Sequence, residues 1–242
     1  MRRRFFVEHY TDGRAELHGE RAHHLIHVLR AQPGQTVELT DGQSAWLARI
    51  TRVQSQRVEF ELVTPMESLE PELRIRLLIG IIRFERFEWC LEKATELGIR
   101  EIQPLSAARS DPRLVTAARK RKARWQKIVI AAAEQARRRT VPVVLDPVVP
   151  AQAFAAAAAE SEQCWLLSER PDAPRLQRAV LDLPPRGVTL AVGPEGGWTE
   201  PERLEALRAG FQEISIGPLI LRTETAALAA AALCQLLWGT MA

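Results

Sequence analysis

"VTLAVGPEGGWTEPE", residues 188–202, decides the fold. Four apolar residues and one threonine end at Val192, a Gly-Pro-Glu-Gly-Gly turn follows, and Thr199 then stands three positions before Glu202 with Pro201 between them. The T-x-x-E spacing is a capping box, in which a hydroxyl and a carboxylate satisfy two orphan amides of a helix start. Proline is favoured in that first turn because its missing N–H is not needed there. The stretch therefore predicts a buried strand, a glycine loop and a capped helix in direct succession. The same alternation recurs at "IRLLIGII" (75–82), "IQPL" (102–105), "CWLL" (164–167) and "EISIG" (213–217), with helical stretches between. Near-continuous apolar strands separated by helices indicate a parallel sheet covered on both faces. Residues 71–242 are thus expected to form an α/β domain.

The front of the chain reads differently. In "TVELTDGQSAWLARI" (36–50), Val37 and Leu39 alternate with polar residues up to an Asp41-Gly42 turn, after which Trp46, Ala48 and Ile50 share a face. "RVEFEL" (57–62) likewise turns Val58, Phe60 and Leu62 inward. Such period-two patterns predict half-buried antiparallel strands, here a small barrel over residues 1–70. "ERAHHLIHVLR" (20–30) interrupts them with one short helix. His23 and His27 have a spacing able to bind metal, but no acidic or cysteine partner accompanies them, so no metal is expected and polar surface or RNA contact is the reading. "TPMESLEPE" (64–72), with two prolines and no periodicity, reads as a linker.

Composition sets the class. A chain of 242 residues, 46% hydrophobic, can bury a substantial core. "MRRRFF" carries the charges of a signal peptide but no apolar segment follows, and no run approaches the ~18 apolar residues of a membrane helix. A soluble, untargeted cytoplasmic protein is expected. Cys90, Cys164 and Cys234 are odd in number and widely spaced, which predicts reduced thiols in the core. The net charge is only +3, yet Arg109 to Arg139 holds eleven Lys or Arg against Asp111 and Glu134, or +9, leaving −6 for the rest. That concentration is what a phosphate-backbone contact requires, whereas a solvated helix face is the plainer alternative. In a helix through Trp125, the residues Trp125, Ile128, Val129, Ala132 and Ala136 fall within about 100° of arc, and Lys120, Arg124 and Lys127 cluster elsewhere. A preceding helix buries Phe84, Phe87, Leu91, Ala94 and Leu97 and stops at Gly98.

Open α/β sheets bind ligands outside the carboxyl ends of their strands. Three segments sit there: "LLSER" (166–170), "AVGPEGGWTE" (191–200) and "IGPLILRTET" (216–225). The second is neither a P-loop nor G-x-G-x-x-G; Pro194 has no N–H for a phosphate and Glu195 repels one. Its glycines suit a ligand that is not strongly anionic.

Together with "HLIHVLR" (24–30), "PGQTVEL" (33–39), "EKATELGI" (92–99), "RWQKI" (124–128) and "EQ" (134–135), the motifs "VGPEGGW" (192–198) and "IGPLILRTETA" (216–226) make the chain resemble the bacterial 16S ribosomal RNA uridine-N3 methyltransferases of the SPOUT class. The resemblance spans essentially the whole chain. It implies a PUA-like β-barrel followed by a SPOUT-type parallel sheet with a C-terminal trefoil knot, a homodimer, and 16S rRNA of the small ribosomal subunit as partner. It implies S-adenosylmethionine held largely by backbone at Leu167, Ser168, Val192, Gly193, Gly196, Gly197, Ile216, Gly217, Leu219, Ile220, Leu221 and Thr225. RNA contacts are expected from Arg3, Arg4, Arg30, Arg83, Lys93, Arg109, Lys120, Arg124 and Lys127. Two departures stand out: Arg83-Phe84-Glu85 replaces a Lys-Gly-acidic segment, and Ala136-Arg137 replaces Ser- or Cys-Gly. Methylating uracil N3 needs its proton removed and the charge on O2 and O4 stabilised. Arg222 is the expected donor; Glu224 or Glu195 accepts the proton or orients Arg222, unless Glu224 merely caps the last helix. The alternatives are ribose 2′-O-methylation by a SPOUT enzyme and a non-catalytic RNA-binding assembly factor.

Overall fold

The computed structural model describes residues 3–67, 73–161, 163–176 and 186–239, in two compact units. The first comprises residues 1–70 together with Ala133–Val141, so the expected boundary near residue 70 is supplemented by a segment from far along the chain. Its elements are β1 (Arg4–Phe6), β2 (Arg14–His18), α1 (Gly19–His23), β3 (Thr36–Thr40), β4 (Ala45–Gln54) and β5 (Arg57–Met66). The single helix expected at residues 20–30 is instead α1 running into a π-helical turn, His24–Val28. The sheet order is β1-β3-β4-β5-β2, with β1 parallel to β3 and the other pairs antiparallel. Register shifts between β4 and β5 at Leu47/Ala48 and Ile50/Arg52 are bulges, which bend and twist a sheet. The expected barrel is thus a curled sheet whose edges are β1 and β2. Thr64–Met66, expected in the linker, complete β5, and residues 68–72 lie outside the described residues.

Inward alternation holds for Val37, Leu39, Ala48, Ile50, Val58 and Phe60, all buried around Phe5, Leu17 and Leu25. It fails at Glu38 and Thr40, which are buried as well. The cause is β1, which pairs Arg4 opposite Glu38. Arg4 (3% exposed) makes a 3.2 Å ion pair with Glu38 (2% exposed) and donates to the Arg137 carbonyl. Arg4 is therefore enclosed within the unit and does not present itself to RNA. Arg137 itself adopts φ +55°, a left-handed conformation that favours glycine, at the end of a helix. Arg137 thus holds a backbone shape that comes more readily to glycine.

The second unit contains β6 (Arg74–Gly80), α2 (Phe84–Glu96), β7 (Glu101–Leu105), α3 (Pro112–Ala118), α4 (Lys122–Gln135), β8 (Val143–Val144), α5 (Pro150–Ala158), β9 (Gln163–Leu167), β10 (Gly187–Val192), α6 (Glu200–Arg208), β11 (Gln212–Ile214) and α7 (Thr223–Trp238). All six strands are parallel, in the order β11-β9-β10-β6-β7-β8. Every apolar run picked from the sequence supplies a strand; the two-residue β8 was too short to announce itself. Lys120 lies in a 3₁₀ turn, Arg119–Arg121, between α3 and α4, not in the helix of Trp125. The three cysteines are free and buried.

From β6 the chain builds outward to β8, crosses to β9, and returns to insert β10 between β9 and β6. The carboxyl ends of β9, β10 and β11 thus deliver three loops to one edge of the sheet. Gly80, the last residue of β6, lets the loop after β10 lie against it: a Cβ on Gly80 would stand 2.5 Å from the Pro194 nitrogen. A glycine inside a strand signals such close backbone approach. Gly80→Ala is expected to destabilise the protein by about 1–3 kcal/mol, the usual range for overpacking. Urea unfolding measures it, and an unchanged midpoint would mean that the loop moves aside freely.

Candidate active site

The loop after β10 is pinned from several sides. Gly197 donates to the Pro194 carbonyl at 2.8 Å and takes φ +69°. A side chain there would also meet Glu169, whose Oε1 lies 2.4 Å from an ideal Cβ position. The Trp198 indole donates to the Leu167 carbonyl at 3.1 Å, joining this loop to the end of β9. Thr223 Oγ1 donates to the Gly193 carbonyl at 2.9 Å, joining it to the start of α7. Arg109 Nη1 donates to the Gly196 and Trp198 carbonyls at 2.7 and 3.2 Å. The capping box forms in both directions between Thr199 and Glu202. Buried Glu202 also accepts from the Ala108 amide at 2.8 Å.

These loops enclose a cleft of about 340 Å³. Leu167, Ser168, Val192, Gly193, Glu195, Gly197, Ile216, Gly217, Leu219, Ile220, Leu221 and Arg222 line it, all named from the sequence. Gly196, Glu224 and Thr225 do not line it. Gly196 carries the carbonyl that Arg109 grips, and Thr225 is exposed, whereas Thr223, two residues back, faces the cleft. Sequence reasoning missed Arg86, Glu169, Trp198, Ile214, Ser215, Thr223 and Ala226. Arg86 comes from a helix distant in sequence and carried no motif of its own.

The cleft's charged side chains are Arg86 and Arg222 against Glu169 and Glu195, an even balance. Its wall includes Leu219 and Ile220, 76% and 80% exposed. Apolar side chains left so open in a concave site provide area for an apolar or aromatic ligand group. Arg222 occupies the N-cap of α7 without a side-chain capping bond and is exposed. Glu224 is 5% exposed; its Oε1 lies 3.9 Å from Arg86 Nε, and its Oε2 has no hydrogen-bond partner. It serves as no cap.

Residues 69–235 match the RNA methyltransferase domain family and residues 17–63 the RNA methyltransferase PUA domain family. The chain is 34% identical to ribosomal RNA small subunit methyltransferase E of Synechocystis over 84% of its length and 67% of the relative's. Identity to the Bacillus subtilis protein of that name is 31%, covering 87% of this chain and 85% of the other. This chain belongs to the ribosomal RNA small subunit methyltransferase E family. A crystal structure of the Neisseria gonorrhoeae member bound to S-adenosyl methionine superposes with a TM-score of 0.88 at 37% identity, over 100% of both chains. A putative methyltransferase from Legionella pneumophila, in complex with the same cofactor, gives 0.87 at 31% identity, also over 100% of both chains.

For a family that acts on RNA, the basic side chains matter by what they already hold. Lys93 bonds Glu92 and Glu96 at 2.7 and 2.8 Å, and Arg109 is committed to the glycine loop. Arg124 makes a two-pronged contact to Glu88 at 2.8 Å, and Arg121, stacked over the Phe84 ring, reaches the same carboxylate at 3.1 Å. Arg3 and Arg30, and in the second unit Arg83, Lys120 and Lys127, are exposed. No helix among the described residues is long and apolar enough to cross a membrane.

The Arg124 hydrogen bond holds the Glu88 carboxyl below the usual glutamate range, against an opposing push from burial. A carboxylate with a depressed folded-state value contributes stability above its unfolded value, near pH 4.3, and loses it as pH falls through the folded value. Because the arginine is largely exposed, the contribution is about 0.5–1 kcal/mol. Glu88→Gln is therefore expected to lower unfolding free energy by that amount at pH 7 and by less at pH 3, where the contribution is being lost as pH falls through the folded value. Urea titrations at both pH values test this; equal losses at the two would exclude an ionic origin.

Proposed function

We propose that this protein methylates N3 of a uridine in 16S rRNA of the small ribosomal subunit, with S-adenosylmethionine as methyl donor. The observation that carries the reading is the cleft at the three strand ends, built of main chain, balanced in charge, and presenting Arg222 from the N-cap of α7. The donor fits it chemically: the exposed Leu219 and Ile220 offer a surface for a purine, and the even charge balance of the cleft suits a molecule carrying both cationic and anionic groups. Residues that would hold it are the backbone of 167–168, 192–195, 197, 216–217 and 219–221. When bound, S-adenosylmethionine supplies an electrophilic methyl group on a sulfonium.

The chain's own residues do the rest. With the donor bound, the uracil N3–H bond would break as the proton passes to a carboxylate, and the electron pair left on N3 would form the bond to the methyl carbon as the methyl–sulfur bond breaks, its electrons staying on sulfur, which leaves as a neutral thioether. Glu195 is the acceptor, because it lines the cleft and Glu224 does not. Arg222, permanently charged, donates to the uracil oxygen on which negative charge develops. N3 is hidden in a base pair, so the target uridine is unpaired or flipped out. Lys120, Arg124 and Lys127 contact phosphates and position the RNA. The resemblance also carries the remaining parts of the reading: α7 closes a trefoil knot, two copies pair as a homodimer, and the enzyme works in the cytoplasm.

The direct experiment is transfer of labelled methyl to small-subunit particles and to naked RNA, followed by nucleoside mass spectrometry. The expected product is N3-methyluridine; a 2′-O-methyl nucleoside, or no transfer, overturns the proposal. Arg222→Ala is expected to leave donor affinity within about threefold and to lower turnover about 100- to 1,000-fold, as for loss of an oxyanion donor. Calorimetry with single-turnover kinetics separates the two effects. Neutralising Lys120, Arg124 and Lys127 together should weaken RNA binding and reduce the slope of log affinity against log salt by about 2–3. A slope equal to the parent's would return these residues to a plain solvated face.

A further inference from the structure

We infer that Arg86 is a positioning residue: anchored on buried Glu224, its guanidinium holds the Glu195 carboxylate at the cleft wall where the substrate proton is taken. The inference rests on the N3-methylation reading above and deepens it. Arg86 lies in the first turn of α2, which packs against α7. A cation in a first turn opposes the helix dipole, so local helix stability does not explain it. Its surroundings do. Nη1 lies 3.4 Å from Glu195 Oε1, while Nε lies 3.9 Å from Glu224 Oε1. Different nitrogens of one planar fork thus face two carboxylates, one lining the cleft and one behind it.

Glu224 explains why the fork stays. Its side chain is 7% exposed, one of its oxygens is buried without a partner, and Arg86 is the cation beside it. A carboxylate so enclosed is tolerated only with a compensating charge, so Arg86 is tethered at its inner end. The outer end can then restrain Glu195, which is exposed and has Arg86 as its ion partner. Lysine keeps the charge but has a single ammonium and cannot address both carboxylates in a fixed geometry. Thus Glu224 acts through Arg86, and Arg86 through Glu195.

The test compares Arg86→Met, Arg86→Lys, Glu195→Gln and the double variant Arg86→Met/Glu195→Gln in the full chain. Donor affinity is measured by calorimetry and methyl transfer to small-subunit particles by single turnover at saturating donor. Parent enzyme must first yield N3-methyluridine; if it does not, the functional reading fails, and this inference with it. Given that product, Glu195→Gln and Arg86→Met are each expected to slow transfer about 100-fold, the lower end for general acid–base groups, with donor affinity changed less than about threefold. The double variant should be no more than about threefold slower than either single, because one removes what the other positions. Arg86→Lys should recover only part of the rate. Losses that multiply in the double variant, a rate within threefold of the parent for Arg86→Met, or full recovery by lysine would each overturn the inference. Should Arg86→Met unfold, the same cycle is read with Arg86→Lys, which keeps a charge beside Glu224.

Discussion

The site depends on one close approach. Gly80 at the end of β6 has no side chain, so the Gly193-Pro194 backbone can lie against the strand end. From there three residues of the β10 loop are fixed by neighbours: Gly193 by Thr223, Gly196 by Arg109, Trp198 by the Leu167 carbonyl. Preorganised main chain loses little entropy on binding a ligand. The cleft itself is thus a product of sheet topology: inserting β10 between β9 and β6 brings three strand ends together.

The charges follow a second economy. Several cations, among them Arg124, Lys93 and Arg4 of the expected RNA contacts, are held by carboxylates within the fold: Glu88 takes Arg121 and Arg124, Glu92 and Glu96 take Lys93, and Glu38 takes Arg4. Such pairs orient guanidinium groups while leaving those at the surface available, since an exposed ion pair is weak and yields to a phosphate. Arg4 differs because it is buried, 3% exposed, with its partner Glu38.

The sequence made the second unit legible because a parallel sheet buried on both faces needs unbroken apolar runs, and each run was visible. The cleft loops were legible through glycine and capping signals. What escaped has physical reasons. Glu38 and Thr40 obey strand alternation by type but not by burial, since Arg4 on the adjacent strand supplies a partner that no local window contains. Arg86 sits more than a hundred residues from Glu195, and only folding reveals that they meet. Thr223 and Thr225 flank one glutamate and look equivalent in the sequence, yet successive helical positions turn by about 100°, so residues two apart point to different sides. The resemblance added an activity that spacing alone left at the level of ligand binding.

Ala133–Val141 carries a consequence for how this protein could be divided. Although it begins within the end of α4, this segment belongs to the first unit: Glu134 accepts from the Phe6 amide, the Arg137 carbonyl meets Arg4, and the Arg139 carbonyl takes the Thr40 hydroxyl. A fragment cut after residue 70 would lack those acceptors and leave a solvent-stripped arginine to find new company. The RNA-binding front end is therefore not a modular cassette, and grafting it onto another enzyme would require carrying along a piece of chain encoded some sixty residues downstream.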